Sequence, residues 1–408
     1  MTTPPLNAKR AGVSLTQDAI RRLSKNLTAM ISFAVLVVVV GLAVLTPLLP
    51  LQPPDRDLTA QMFAEPTAER LFEKTFNFDP QVNAVARERL PAALEKRGVR
   101  QAELKSLLAD AKRTPEAESQ SRRNLRQAEA AIVALEQRAY ASVGYPHLGP
   151  LSRWMVRTRH ALFGEWQLAS VCGRDKLGRD LLSRIFWGAR VSLIVGVVAT
   201  LVSLAIGVTW GSVAGYVGGS VDNLMMRIVD VLYSVPFVFL VIFLISILSE
   251  DRVKDALAGY GIDRITIFYF VVGAIYWLTM ARVVRGQVVS LRNEPFIEAA
   301  RSIGVSQTAI IFRHIVPNLL SIVVVYLTLT IPRVILFEAF LSFLGLGVEP
   351  PDVSWGLLAN EGIQVITPIK IYWWLILFPS LAIGVTLFAL NFLGDAIRDA
   401  FDPRLKGR

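Results

Sequence analysis

Runs of mostly apolar residues, each near the length that crosses hydrocarbon, constrain this chain more than any other feature. They occupy residues 27–51, 191–216, 229–248, 265–284, 319–345 and 371–393. Crossing a bilayer takes about 20 residues of helix. Lipid offers no water to bond backbone N–H and C=O groups, so each run must be helical. The composition agrees: 53% of the 408 residues are hydrophobic, 19% are charged, and mean hydropathy is +0.46. A globule of that makeup would carry more apolar surface than it could bury. The expected fold is an all-α integral membrane protein with six transmembrane helices.

The first run follows Lys9, Arg10, Arg21, Arg22 and Lys25. A signal peptide starts in a similar way, but its apolar core is only about 7–15 residues long. This run is longer and no small-residue cleavage site follows it, so it reads as a retained anchor behind a cytoplasmic tail, residues 1–26. The link between the fourth and fifth runs carries Arg285, Arg292, Arg301 and Arg313; the C-terminal tail carries Arg398, Arg404, Lys406 and Arg408. Six spans put both of these on the side of the N-terminus, and cytoplasmic loops are the basic ones. Both termini are therefore expected in the cytoplasm. The link 249–264 is more acidic and falls on the far side. The link after the second run has only Arg227 and is uninformative.

The same distribution accounts for the net charge of +10: the basic residues sit beside spans and form no stripe for nucleic acid. A lone cysteine, Cys172, excludes an intrachain disulfide framework and a cysteine-based zinc site. His147, His160 and His314 show no metal-ligand spacing. No G-x-x-x-x-G-K-[ST] occurs, so the chain has no P-loop to cradle ATP phosphates. No Ser/His/Asp set stands in nucleophile context. The chain is not expected to be an enzyme.

Residues 55–166, between the first two spans, are polar. Leu104, Leu107, Leu108 and Ala111 fall on one helical face, as do Leu125, Ala128, Ile132, Leu135 and Ala139. Thr114-Pro115 between them suits a helix break. The segment is expected to be a helical hairpin on the extracytoplasmic side, since loops beyond about 60 residues translocate largely regardless of charge. It reads either as a solvated decoration or as a docking surface for a partner. Pro53-Pro54 and Pro146 with Pro150 stiffen its two necks.

The most informative stretch is 293–318, NEPFIEAARSIGVSQTAIIFRHIVPN. Asn293 suits a helix N-cap, with Pro295 in the first turn. Gly304 suits the left-handed residue that ends that helix, and Ser306 caps a second short helix before Pro317 and the fifth span. Ala299 and Ala300 let another surface come close; Glu298 and Arg301 add polar grip. The geometry fits a knob held in a groove, though spacing alone leaves an interfacial amphipathic helix equally open.

Glu298-Ala299-Ala300, then Gly304, then Ile315-Val316-Pro317 resembles the EAA loop of ABC importer permeases. The ending Arg313-His314-Ile315-x-Pro317-Asn318 resembles the peptide-permease branch, with His314 where the wider family has Ile. Three more stretches resemble that branch. Gly173-Arg174-Asp175-Lys176-Leu177-Gly178-Arg179-Asp180, with Ser183-Arg184, is similar to its lead-in to the second span, with Arg174 in place of Thr. Residues 338–347 with Pro350-Pro351 and Ser354-Trp355-Gly356 are similar to its segment after the fifth span. Asn391-Phe392-Leu393-Gly394-Asp395 with Asp402-Pro403-Arg404 is similar to its C-terminus. The likeness covers 173–405 and the first span, 27–51, but not the long insertion.

The resemblance implies a permease core, 173–405, with its coupling loop at 293–317 seated on an ATPase subunit. Glu298, Ala299, Ala300, Gly304, Arg313, His314 and Pro317 are the coupling residues it implies. It also implies a second homologous permease, two ATPases that bind the ATP and Mg, an extracytoplasmic solute-binding protein, membrane lipid around the spans, and di- or oligopeptides as substrate. Nickel complexes or another small solute are the alternative cargo. The place would be a bacterial cytoplasmic membrane. An ATP-independent secondary transporter would instead call for internal repeats, which the sequence does not display. A membrane-anchored structural protein would leave the elbow at 293–317 unexplained.

Arg333 and Glu338 lie inside the fifth span. Each costs roughly 2.5–3.5 kcal/mol at the centre of a lone helix. Five positions apart, they sit about 140° round the helix and do not face each other. Each needs another partner or water. They are candidates for lining the translocation path, with structural pairing as the alternative. Pro332 beside them removes a backbone bond.

Overall fold

The computed structural model describes residues 15–67, 69–74, 80–109, 114–139, 149–164, 166–248, 264–348 and 352–401. Its helices are α1 (Leu15–Lys25), α2 (Leu27–Leu45), α3 (Pro80–Ala109), α4 (Pro115–Ala139), α5 (Pro150–Phe163), α6 (Leu181–Val217), α7 (Gly219–Ser234), α8 (Phe237–Leu248), α9 (Arg264–Leu291), α10 (Pro295–Ser302), α11 (Gln307–Phe343), α12 (Trp355–Gln364) and α13 (Trp374–Phe401). Five stretches are long and apolar enough to cross a membrane: 27–48, 181–217, 266–291, 307–343 and 374–401.

The third expected span takes a different form. Its residues fall in α7 and α8, which meet at 94°, and the total reaches six only when this bent pair counts as one. Pro236 has no N–H to continue a helix, and its ring pushes the preceding residue out of the helical region. Val235 is accordingly extended, at φ −77° and ψ 129°. The first span ends at Leu48 in a short 3₁₀ turn containing Pro47, not at residue 51. The second starts at Leu181 rather than 191, because Asp180 accepts the Ser183 N–H at 2.8 Å and caps the helix there. The acidic link after α8, residues 249–263, lies outside the described residues, as do the expected tails 1–14 and 402–408, Ala111, Tyr140, Pro146 and His147, and Pro350-Pro351.

Apolar side chains gain little by leaving lipid for another helix, so close backbone approach has to hold spans together. Helices α6 and α9 meet in this way along Gly207, Gly211 and Gly215. A Cβ on Gly211 would stand 2.4 Å from the Ala281 carbonyl oxygen; one on Gly215 would stand 2.8 Å from that of Arg285. Beside this seam Arg285 holds Asp222 of α7 through bonds of 2.6 and 2.9 Å.

Within the insertion, α3 and α4 form the expected hairpin, with Leu104 and Ile132 buried, and Thr114 caps α4 through the Ala117 N–H at 3.3 Å. Two features go beyond the expected hairpin, a longer first helix and a short ribbon. Helix α3 starts at Pro80, well before the apolar face at Leu104, and runs through Pro91. The base of the segment is an antiparallel ribbon of β1 (Phe72–Lys74) and β2 (Trp166–Leu168), with Phe72 opposite Leu168. The near end of the insertion is sewn to the body: Leu58 N–H donates to Leu177 O at 3.0 Å, Phe63 N–H to Asp175 O at 3.0 Å, and Arg174 N–H to Ala64 O at 2.9 Å. Gly178 makes this possible. It has φ +76°, and a Cβ there would lie 1.9 Å from the Leu58 carbonyl oxygen.

The α6–α9 seam gives a test. Gly211→Leu should lower stability by about 1–3 kcal/mol through overpacking, while Leu at Gly384, where nothing lies near a built Cβ, should not. Thermal aggregation of the detergent-purified protein measures both; equal behaviour of the two variants contradicts the seam.

Candidate functional site

The elbow between α9 and α11 is built from local chemistry. Its first helix, α10, is preceded by Glu294 as N-cap, extended at φ −71° and ψ 146°, with no side-chain cap bond. Asn293, the expected cap, is one position too early, because Pro295 takes the first helical position and forces the residue before it to be extended. Gly304 is left-handed at φ +80°, and Val305 N–H donates back to Ala300 O at 3.1 Å, closing the helix as expected. Ser306 caps the next helix by accepting the Ala309 N–H at 3.4 Å. That helix is not short. It passes through a π turn at Ile310–Ile315 and continues as α11 to Phe343. Pro317 has no N–H to give; the wider turn carries the chain past it, with Val316 N–H donating to Ile311 O.

The elbow has two faces. Ile297, Ile310 and Ile315 are fully buried, with Ala300 and Ile311 nearly so, and pack with Tyr216, Val288 and Leu319. Glu298, Ala299, Ser302 and Ile303 are exposed on the other face, Ile303 by 81%. The two alanines thus part: Ala299 faces outward and Ala300 packs inward. Arg301 is exposed but leans on Tyr216 of α6. Its Nε donates to the Tyr216 hydroxyl at 3.2 Å, and its guanidinium stands 5.0 Å from that ring's centroid. Arg313 and Pro317 are exposed; His314 is half-buried, and its carbonyl accepts from Asn318 Nδ2 at 2.6 Å.

The two charges of the fifth span are placed differently from each other. Glu338 is fully buried. Its carboxylate accepts from Ser192 Oγ of α6 at 3.0 Å and from Ser342 Oγ at 2.7 Å. The Ser192 hydroxyl in turn accepts the Trp355 N–H of α12 at 3.2 Å. Glu338 therefore ties three helices together. Arg333 is exposed and lines a cavity of about 490 Å³ at the α7–α8 bend.

A third constellation was not picked out as a site from the sequence. Arg184, in the first turn of α6 and 1% exposed, pairs with Asp175 at 2.7 Å and with Glu361 of α12; Arg179 pairs with Asp175 at 2.7 Å and with Glu361 at 3.4 Å. Asp175 also accepts the Leu177 and Arg179 N–H groups at 2.8 and 2.9 Å. Arg174 donates to Gly178 O at 2.9 Å and lies 3.7 Å from Glu73 of β1. The charges of the lead-in motif thus knit β1, α6 and α12 into one buried network. An arginine at the mouth of an apolar span was the available signal; its partner Glu361 is too far along the chain for spacing to reveal.

Burial raises the carboxyl of Asp180 from 3.8 to about 6, against the opposing pull of the Ser183 N–H and Arg174. A carboxyl whose folded value exceeds its unfolded one binds protons more readily when folded, so its contribution is lost as pH rises from about 4 to about 6. Asp180→Asn keeps a good cap and removes this titration. The melting temperature of the variant minus that of the wild type should therefore rise between about pH 4.5 and about pH 7. A flat difference contradicts the assignment.

The family described as binding-protein-dependent transport system inner membrane component matches residues 207–407, and the N-terminal transmembrane domain of oligopeptide transport permease C matches residues 14–66. The oligopeptide transport permease OppC of Escherichia coli K12 is 47% identical over 232 residues, covering 57% of this chain and 72% of the relative. The dipeptide transport permease DppC of Bacillus subtilis is 43% identical over 234 residues, covering 57% and 68%. The inward-facing MetNI methionine ABC transporter is a looser structural likeness, with TM-score 0.40 and 19% identity over 52% of this chain and 94% of that one. The two family matches leave 67–206 between them, the region that holds the hairpin. Several apolar helices and this family make the chain a multi-pass inner-membrane protein. It belongs to the binding-protein-dependent permeases, in the C-type branch of oligopeptide and dipeptide ABC permeases.

Proposed function

We propose that this chain is one half of the membrane path of an ATP-driven importer of di- or oligopeptides. A second, homologous permease forms the other half. Two separate ATPase subunits bind ATP and Mg, and an extracytoplasmic binding protein delivers the peptide. Both termini and the elbow lie in the cytoplasm, and the α3–α4 hairpin lies outside. The observation that carries this reading is the two-faced elbow. Its exposed knob of Glu298, Ala299 and Ile303 stands on a packed base, and the base runs without a break into a span. A subunit gripping the knob would move α11 as one piece. Arg313, His314 and Pro317 shape the turn through which that motion passes, and Arg333 lines the path at the α7–α8 bend.

Gly304→Val should sharply reduce peptide uptake while sparing membrane insertion, because a β-branched residue resists positive φ. Glu298→Lys should weaken co-purification of the ATPases. Normal uptake and normal co-purification in both variants contradict the coupling role. For sidedness, Ser119→Cys on the exposed face of α4 should react with a membrane-impermeant maleimide in intact cells. Cys172 is a silent background, because burial pushes its thiol up to about 12. Reaction only after permeabilisation would reverse the topology.

A further inference from the structure

The cavity at the α7–α8 bend has a chemistry of its own. It lies where Val235 and Pro236 break the third span, against α9 and α11, and holds about 490 Å³. That volume falls within the roughly 300–1,000 Å³ of small-molecule sites. Its polar lining consists of hydroxyls and one cation: Tyr233, Ser234, Tyr276, Thr279 and Arg333. The other lining residues are apolar, and no Asp or Glu is among them.

The nearby cation Arg282 is already engaged. It pairs with Asp230 at 2.8 Å and lies 4.3 Å from the centroid of the Tyr233 ring. Arg333 has no such partner: among the described residues it holds no salt bridge, and Glu338 on the same helix bonds to serines instead. Its backbone is held in place, since the Tyr276 hydroxyl donates to the Arg333 carbonyl at 3.3 Å. Charges within spans are costly and face a bundle interior or a wet cavity, and such a charge marks a candidate pathway. A guanidinium presents a planar fork that fits a carboxylate through two parallel bonds.

We infer that this cavity is a transit subsite for the terminal carboxylate of the peptide, with Arg333 as its anchor and the hydroxyls of Tyr233, Tyr276 and Thr279 beside it. The inference rests on the peptide-import reading above. It explains how one path accepts many sequences. The group common to every linear peptide is held by charge, while apolar walls accommodate side chains without reading them.

The test uses the assembled transporter in proteoliposomes, with trialanine and trialanine amide as probes at concentrations well below saturation, where uptake reports kcat/KM. Arg333→Gln should lower ATP-driven uptake of the free acid by about tenfold relative to the amide, a loss of about 1.4 kcal/mol in transition-state stabilisation. Because all other subunits are unchanged, their own preferences cancel in that ratio. Arg333→Lys keeps the charge and should retain most free-acid uptake. Equal loss for acid and amide overturns the subsite and makes Arg333 a structural group, paired for instance with the second permease. No loss for either probe overturns it as well. If the wild-type transporter accumulates neither peptide, the import reading itself fails and this subsite falls with it.

Discussion

The packing of Ile297 and Ala300 onto Ile310, Ile311 and Ile315 joins the elbow to a helix that runs unbroken from Gln307 to Phe343. That contact decides what the rest of the molecule can do. A knob on a flexible loop would absorb a push. On the proposed coupling role, a knob seated on buried isoleucines, closed by a left-handed glycine and tied to α6 through Arg301 and Tyr216, would pass the push to the span. At the far end of the same helix Glu338 is bonded to Ser192 of α6, and Ser192 to the backbone of α12. The helix is thus held at both ends by specific polar contacts, while apolar packing fills the length between.

Helix α6 is the element to which both the elbow and the far end of α11 are tied. On one side its glycines bring it into backbone contact with α9. At its first turn Arg184 is locked into the network with Asp175, Arg179 and Glu361. A buried ion group of this kind is weak evidence of stabilisation, but removing one member leaves a charge stranded. Its effect here is to fix where the helix begins relative to β1 and α12. The bend between α7 and α8 packs against α9, and at it Pro236 leaves a span without its full ladder of backbone bonds. In lipid such a break is tolerated only where protein or a wet cavity lies beside it, and the Arg333 cavity is at that point.

Much of this was legible in the sequence, because the strongest signals are local. Apolar run length marked the spans, Gly304 and Ser306 declared a turn and a cap, and Thr114-Pro115 a helix break. The errors came where a neighbour overrides a residue's own preference: Asn293 is a good cap in isolation, but Pro295 moves the cap to Glu294. Hydropathy over the third span averaged across Pro236 and missed the bend. The ribbon of β1 and β2 is three residues wide and too short to show a period. The Arg184–Glu361 pair is 177 positions apart, and no spacing rule reaches that far. The glycines at 207, 211 and 215 were in plain view, yet their partner surface on α9 is a tertiary fact.

The central claim is that the elbow and α11 move as one body relative to the first span. Distances between spin labels in the assembled transporter test it most directly. One pair joins Ile303→Cys, at the end of α10, to Leu336→Cys on α11; the other joins Ile303→Cys to Val37→Cys on α2. All three native residues are exposed hydrophobics. On trapping the ATP-bound state, the account predicts an unchanged distance from 303 to 336 and a changed distance from 303 to 37. A change within the first pair, or none in the second, would contradict it.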